Sequence, residues 1–168
     1  GLECVARDEL LDRGDPVFKI VHCKKCGFKY LNPRPKEAEW EKIYPSHYFN
    51  YAPASQNPSV FVKLFFSAVS HARLQRVSRY KKGGKVLDIG CGPGEFLRRL
   101  GGTGKWETMG LEPNPMAAEH ARKTYGLSVV NKKFQKASFE NGRFDLITLW
   151  GVFEHLPDLR ATLAALAR

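Results

Sequence analysis

The chain has no run of 18 apolar residues and therefore offers no transmembrane helix. It opens without the basic-then-apolar stretch of a secretory signal, so the expected compartment is the cytoplasm. Cysteine is scarce, with four among 168 residues. In a reducing compartment so few cysteines read as free thiols or metal ligands, which sets aside a disulfide-built fold. Acid is the other shortage: 17 Asp and Glu stand against 27 Lys and Arg, a net charge of +10. That surplus is compatible with an anionic partner such as RNA, an acidic glycan or a membrane surface. The basic residues are scattered, however, without a recognisable RNA-binding motif, and a solvated basic surface accounts for them as well. Internal repeats are also absent.

What the sequence does hold is concentrated at residues 86–97, Val-Leu-Asp-Ile-Gly-Cys-Gly-Pro-Gly-Glu-Phe-Leu. An apolar strand carries an acid near its end (Asp88), a tight loop follows with Gly90, Gly92 and Gly94, and a helix opens at Glu95. In open α/β folds such a strand–loop–helix unit lies where ligands bind. The dinucleotide fingerprint Gly-x-Gly-x-x-Gly would place its third glycine at Glu95, where a carboxylate repels a pyrophosphate. Met109-Gly110-Leu111-Glu112-Pro113-Asn114 reads as the tip of the next strand, with an acid suited to ribose hydroxyls. Phe144 to Trp150 reads as a further strand, followed by Gly151-Val152-Phe153-Glu154-His155-Leu156-Pro157-Asp158. The pattern predicts strands at about 85–89, 106–111, 127–130 and 144–149, and helices at about 94–101, 114–125 and 155–167. Their alternation implies a parallel sheet with right-handed crossovers.

Upstream, Val17 to His22 alternates like a half-buried strand and runs into Cys23-Lys24-Lys25-Cys26-Gly27, the shape of a zinc knuckle. One knuckle supplies two of four ligands. Cys4 and His22 could complete a site on paper, but the strand would point His22 away from Cys23. Residues 32–58 are rich in Pro, Tyr and Asn, with a short helix expected from Lys36 to Tyr44. Asn57-Pro58-Ser59 opens a longer helix, with Phe61, Leu64, Phe65, Ala68, Val69, Ala72 and Val77 at helical spacing. Lys63, Arg73, Arg76 and Arg79 are expected largely on its other side. A basic amphipathic helix can lie on a membrane, but packing against the sheet is the expectation here.

The acid before a Gly-x-Gly-x-Gly loop, the second acid one strand later and the Glu-His-Leu after the fourth strand together resemble the class I S-adenosylmethionine (SAM) methyltransferases. The resemblance implies a Rossmann-like, doubly wound, mostly parallel sheet with SAM as cofactor. It assigns Asp88 to the loop and the amino-acid end of SAM. Gly90, Cys91, Gly92 and Gly94 form the loop, with Cys91 a small loop residue and no nucleophile. Glu112 takes the ribose hydroxyls, Pro113 and Asn114 flank the adenosine, and backbone around Trp150 and Gly151 meets the ammonium. The usual acid after the third strand is missing, and Gln135 or a backbone group is the substitute for adenine. His155 is the candidate general base, with the alternative that it orients the helix after it. Tyr44, Tyr48 and Tyr51 are candidates for a lid.

The N-terminal part resembles the second half of a two-knuckle module found in bacterial methyltransferases of this type. Cys23 and Cys26 are followed by Phe28-Lys29-Tyr30-Leu31-Asn32-Pro33-Arg34-Pro35 and then Tyr44, Tyr48 and Tyr51. The resemblance implies a partial zinc-ribbon-like module at 1–35, with Cys23 and Cys26 as ligands of an incomplete zinc site. A connecting segment at 36–58 and a SAM-binding core at 59–168 follow. The family's core has seven strands and four are legible here, so the expectation is a fragment, shortened at both ends and marginal in stability. The expected activity is methyl transfer to a small-molecule or glycan acceptor, an in-line displacement in which alignment supplies most of the acceleration. An RNA methyltransferase is a weaker alternative, because Trp150-Gly151-Val152-Phe153 stands where RNA-base enzymes carry their catalytic motif. A SAM-binding domain without turnover is the other. A NAD-binding domain is disfavoured by Glu95.

Overall fold

The computed structural model describes residues 2–7, 17–33, 59–156 and 158–168. The helix expected from Lys36 to Tyr44 and the tyrosines 44, 48 and 51 lie outside the described residues. The chain divides into two units, residues 1–44 and 45–168.

In the first unit, β1 (Leu2–Arg7) pairs antiparallel with β2 (Val17–His22), which pairs antiparallel with β3 (Lys29–Leu31). The turn between β2 and β3 is closed at its base, where the Cys23 N–H donates to the Phe28 carbonyl at 2.8 Å. Inside it, the Gly27 N–H donates to the Cys23 carbonyl, also at 2.8 Å.

The second unit is a four-stranded parallel sheet of order β6–β5–β4–β7, with β4 (Gly84–Ile89), β5 (Trp106–Leu111), β6 (Ser128–Val130) and β7 (Leu146–Leu149). Among the described residues four helices accompany it: α1 (Val60–Tyr80), α2 (Glu95–Gly101), α3 (Pro115–Tyr125) and α4 (Leu159–Leu166). None of the described helices is long and apolar enough to cross a membrane. Because side chains alternate along a strand, β4 feeds two cores. Val86 joins Val77 of α1, Phe96, Leu97 and Leu100 of α2, Ala118 and Ala121 of α3, and Trp106 and Val129 on one face. Leu87 and Ile89 join Leu111 on the other, beside Phe139, Ile147 and Leu166.

Local chemistry sets the helix ends. Ser59 caps α1 by accepting from the Val62 N–H at 3.3 Å, and Asn114 caps α3 by accepting from the Ala117 N–H at 3.1 Å, with Pro115 at the first helical position. The helix expected to open at Glu154-His155 begins later. Phe153–His155 is a 3₁₀ turn, and Asp158 is the cap of α4, its carboxylate accepting from the Ala161 N–H at 2.9 Å. An Asp is the stronger cap, so it fixes the start of the helix.

The orientation of α1 differs from expectation. Its inner stripe is Ser70, Arg73, Leu74 and Val77, while Phe61, Leu64, Phe65, Ala68 and Ala72 face outward. Both sides of the first turns are apolar, so periodicity alone does not fix the rotation. Arg73, expected among the exposed basic residues, is drawn inward by an aromatic ring and a buried acid described below.

Sheet and loop meet at a close approach. Gly110 of β5 lies beside Asp88 in register, and a Cβ on it would sit 2.5 Å from the Cys91 Sγ and 3.0 Å from the Leu97 Cδ1. Gly110→Ala is therefore expected to cost about 1–3 kcal/mol through overpacking. A double-mutant cycle by chemical denaturation checks the cause: in a Cys91→Ala background a clear part of that cost should vanish.

Candidate functional site

The functional candidates gather at the carboxyl ends of β4 and β5. Asp88, Gly110 and Thr148 occupy one row across β4, β5 and β7. Asp88 is 2% exposed, and its Oδ1 accepts the Thr148 hydroxyl proton at 2.7 Å. The loop turns back over β5, where the Gly90 N–H donates to the Leu111 carbonyl at 2.7 Å and the Cys91 N–H donates to the same oxygen at 3.2 Å.

Glu112 locks this loop. It is 2% exposed, and its carboxylate accepts the Gly92 N–H through Oε2 and the Asn114 N–H through Oε1, each at 2.8 Å. One side chain thus ties the glycine loop after β4 to the first turn before α3. Asn131, at the end of β6, donates from Nδ2 to the carbonyls of Glu112 and Pro113 at 2.7 and 3.0 Å and fixes the strand tip from the other side. Gly92 has a φ of +55° and nothing within 4 Å of where a Cβ would stand. Its left-handed backbone and open flank let a ligand approach the main chain.

Above the row sits Arg73 of α1. Its guanidinium lies 5.2 Å from the centre of the Trp150 ring, which also meets Phe96 edge-on at 5.6 Å. The Trp150 indole N–H is buried and has no hydrogen-bond partner among the described residues. Burial pushes the Asp88 carboxyl up to about 7, and the nearby Glu112 charge pushes the same way. The Thr148 hydrogen bond and the Arg73 charge pull it back without winning. Burial also lowers the pKa of Arg73, which the charge of Asp88 partly offsets.

Other candidates fall as follows. Gly94 is the cap residue of α2, and Glu95 opens that helix. Burial alone would raise the Glu95 carboxyl, but hydrogen bonds and charges of Arg98 and Arg99 hold it low, with contacts of 2.7 and 3.0 Å. An ionised carboxylate therefore occupies the helix start where a phosphate would need to bind. The Cys91 side chain is buried, and burial pushes its thiol well above the usual range, leaving it a packing group. Pro113 is exposed at the β5 tip, while the Asn114 side chain is committed to capping α3. Gly151 is exposed with a φ of +69°. His155 is half-buried in the 3₁₀ turn after β7, its Nε2 4.0 Å from the Glu154 carboxylate. Gln135 is not brought to the loop: it lines a groove of about 410 Å³ on the opposite sheet face, with Leu87, Ile147 and Leu166. Arg73, Thr148 and Asn131 complete the site without standing out in the sequence, since each is placed by helix rotation or cross-strand register.

Cys23 and Cys26 are free thiols in the β2–β3 turn, the first half-buried and the second exposed. Hydrogen bonds from the backbone of Cys26 and Lys25 lower the pKa of Cys23. No group of three or more His, Cys, Asp or Glu among the described residues could hold a metal ion, so these two thiols alone do not fit a four-ligand zinc.

The donor set has a clear chemical preference. Adjacent buried acids, a guanidinium beside one of them, an orphaned indole N–H and an open stretch of loop backbone suit a zwitterionic ligand with a hydroxyl pair and no phosphate.

Residues 63–168 match the model of a family described as a methyltransferase domain. The ubiquinone biosynthesis O-methyltransferase of Colwellia psychrerythraea is 36% identical over 87 residues, 48% of this chain and 35% of that protein. The Escherichia coli K12 protein of the same name is 36% identical over 92 residues, 51% of this chain and 38% of that protein. The chain thus spans little more than a third of the length of these relatives. Among solved structures, a Methanococcus maripaludis protein described as a candidate S-adenosyl-L-methionine-dependent methyltransferase matches with a TM-score of 0.53 and 18% identity, covering 78% of this chain and 56% of that one. The plantazolicin methyltransferase BpumL, solved with a substrate analogue and S-adenosylhomocysteine (SAH), gives 0.53 and 18%, covering 76% and 50%. At these identities the structural likeness shows the fold.

The buried Asp88 has a measurable consequence. Its pKa is raised in the folded chain from an ordinary 3.8 to about 7, so the native state binds the proton more tightly than the unfolded state. Its contribution is complete below about pH 4 and is lost as pH rises through about 7. Asp88→Asn removes this dependence. Thermal denaturation should show the variant's advantage over the parent growing between pH 4 and 7 by on the order of a few kcal/mol, then levelling off.

Proposed function

Because the chain belongs to the methyltransferase-domain family, matched over residues 63–168, we propose that its second unit binds SAM at the β4–β5 tips and serves methyl transfer to a small-molecule acceptor. The observation that carries this reading is the Glu112 carboxylate holding the Gly92 and Asn114 N–H groups at 2.8 Å beside the buried Asp88.

The residues fit the cofactor by charge. Asp88 suits the ammonium end, and the Arg73 guanidinium and the unpartnered Trp150 indole N–H suit the carboxylate of the same zwitterion. Glu112, the acid at the β5 tip, is the group we assign to the ribose hydroxyl pair. Glu95, ionised and paired to Arg98 and Arg99, disfavours a nucleotide diphosphate in the same loop. When bound, SAM supplies a methyl group on a sulfonium, a leaving group that already carries the positive charge. The protein's part is then alignment, exclusion of water and removal of the acceptor's proton. His155, half-buried after β7, is the group we assign to that proton. The acceptor class follows the curated relatives, whose names give them as O-methyltransferases of ubiquinone biosynthesis.

Calorimetric titration with SAH tests the reading. The 168-residue chain should bind it saturably, Glu112→Gln should weaken binding at least tenfold, and NADH should not compete. Unchanged affinity in Glu112→Gln, or displacement by NADH, would contradict the assignment.

A further inference from the structure

Helix α1 has an outer face that the described residues of its unit leave exposed. Val60, Phe61 and Leu64 are 61%, 79% and 61% exposed, and Ala68 and Ala72 continue the same line. Placed at 100° per residue, these five side chains fall within one third of the helix circumference, an arc they share with the exposed His71 and, a turn further on, Gln75, opposite the buried Ser70 and Val77. The stripe runs about 18 Å along the helix from Val60 to Ala72. Arg79 continues this side about two turns beyond Ala72 and Arg76 flanks it, both exposed.

Charge selects the occupant. From Lys42 to Leu87 the sequence contains no Asp or Glu and eight Lys or Arg, most of the chain's net +10. Two copies meeting on this face would bring like charges together, so self-association is opposed. A convex helix side offers no cavity for a soluble ligand. An exposed apolar stripe carrying aromatic and branched side chains, set in a purely cationic segment, matches the boundary of an anionic bilayer. There the apolar groups enter the acyl–headgroup boundary and the guanidinium groups meet lipid phosphates.

We propose that the outer face of α1 docks on an anionic lipid surface, with Val60, Phe61 and Leu64 inserted and Arg76 and Arg79 at the headgroups. The site row is undisturbed in this arrangement, because Arg73 projects from the inner stripe. The inference stands on the α1 surface alone and does not depend on the identity of the cofactor.

Vesicle flotation with the 168-residue chain tests it. Vesicles of phosphatidylcholine containing a third phosphatidylglycerol should carry the protein up the gradient, and pure phosphatidylcholine vesicles should carry at least tenfold less. Phe61→Glu with Leu64→Glu should reduce binding to the anionic vesicles at least tenfold, and Arg76→Gln with Arg79→Gln several-fold. The second pair should also flatten the salt dependence. All four positions are exposed, and matching circular dichroism and denaturation midpoints establish that the variants fold. Equal flotation of parent and variants, no flotation by the folded parent, or a concentration-dependent dimer abolished by Phe61→Glu would each overturn the proposal, the last in favour of a second copy as occupant.

Discussion

The carboxylate of Glu112 holds together the two strand tips that carry the candidate site. It accepts one proton from the loop that follows β4 and another from the turn that follows β5, both at 2.8 Å. Charge-assisted bonds to backbone N–H groups are among the stronger polar contacts a buried acid can make. They help satisfy a carboxylate that is only 2% exposed. The arrangement also explains the glycine at position 92, whose N–H must turn inward to the acid while its other flank stays open. Packing reinforces the link. The Cys91 side chain fills the space that a side chain on Gly110 would need, so loop and sheet interlock sterically as well as by hydrogen bonds.

Charge around this link is arranged for a particular kind of ligand. Asp88 is buried enough that its carboxyl rises to about 7, and Thr148 and Arg73 hold it short of full neutralisation. A cation placed beside it restores the ionised form at little cost. The Arg73 guanidinium, stacked on Trp150, offers a positive group a short way off. Acid and base side by side match the two ends of an amino acid, whereas Glu95 at the start of α2 makes the same loop hostile to phosphate.

Local features were legible in the sequence and non-local ones were not. The β4 strand, the glycine loop, α2 and the two acids announce themselves within a few residues of one another, because strand alternation, glycine and an acid at a strand tip are local statements. The rotation of α1 was hidden. Apolar residues occur on both sides of its first turns, and the rotation is fixed only in three dimensions, where Leu74 and Val77 join the core and Arg73 lies over the Trp150 ring. Thr148 and Asn131 matter through register with β4 and β5, which no single segment encodes. Gln135 was singled out for standing where an acid was missing, and the 3₁₀ turn at 134–136 carries it to the opposite sheet face. His155 was expected to open a helix, but the stronger cap, Asp158, starts it three residues later.

The most direct test of the central claim, that a buried near-neutral acid beside the locked loop receives the ligand's cationic end, is the proton balance of SAH binding. Titration calorimetry at pH 6.5 in two buffers of different ionisation enthalpy reads it. With Asp88 at about 7 in the free chain, binding should release a substantial fraction of a proton. The release should fade by pH 8 and be absent in Asp88→Asn. Binding heats identical in both buffers at pH 6.5, or a release that persists in Asp88→Asn, would contradict the account.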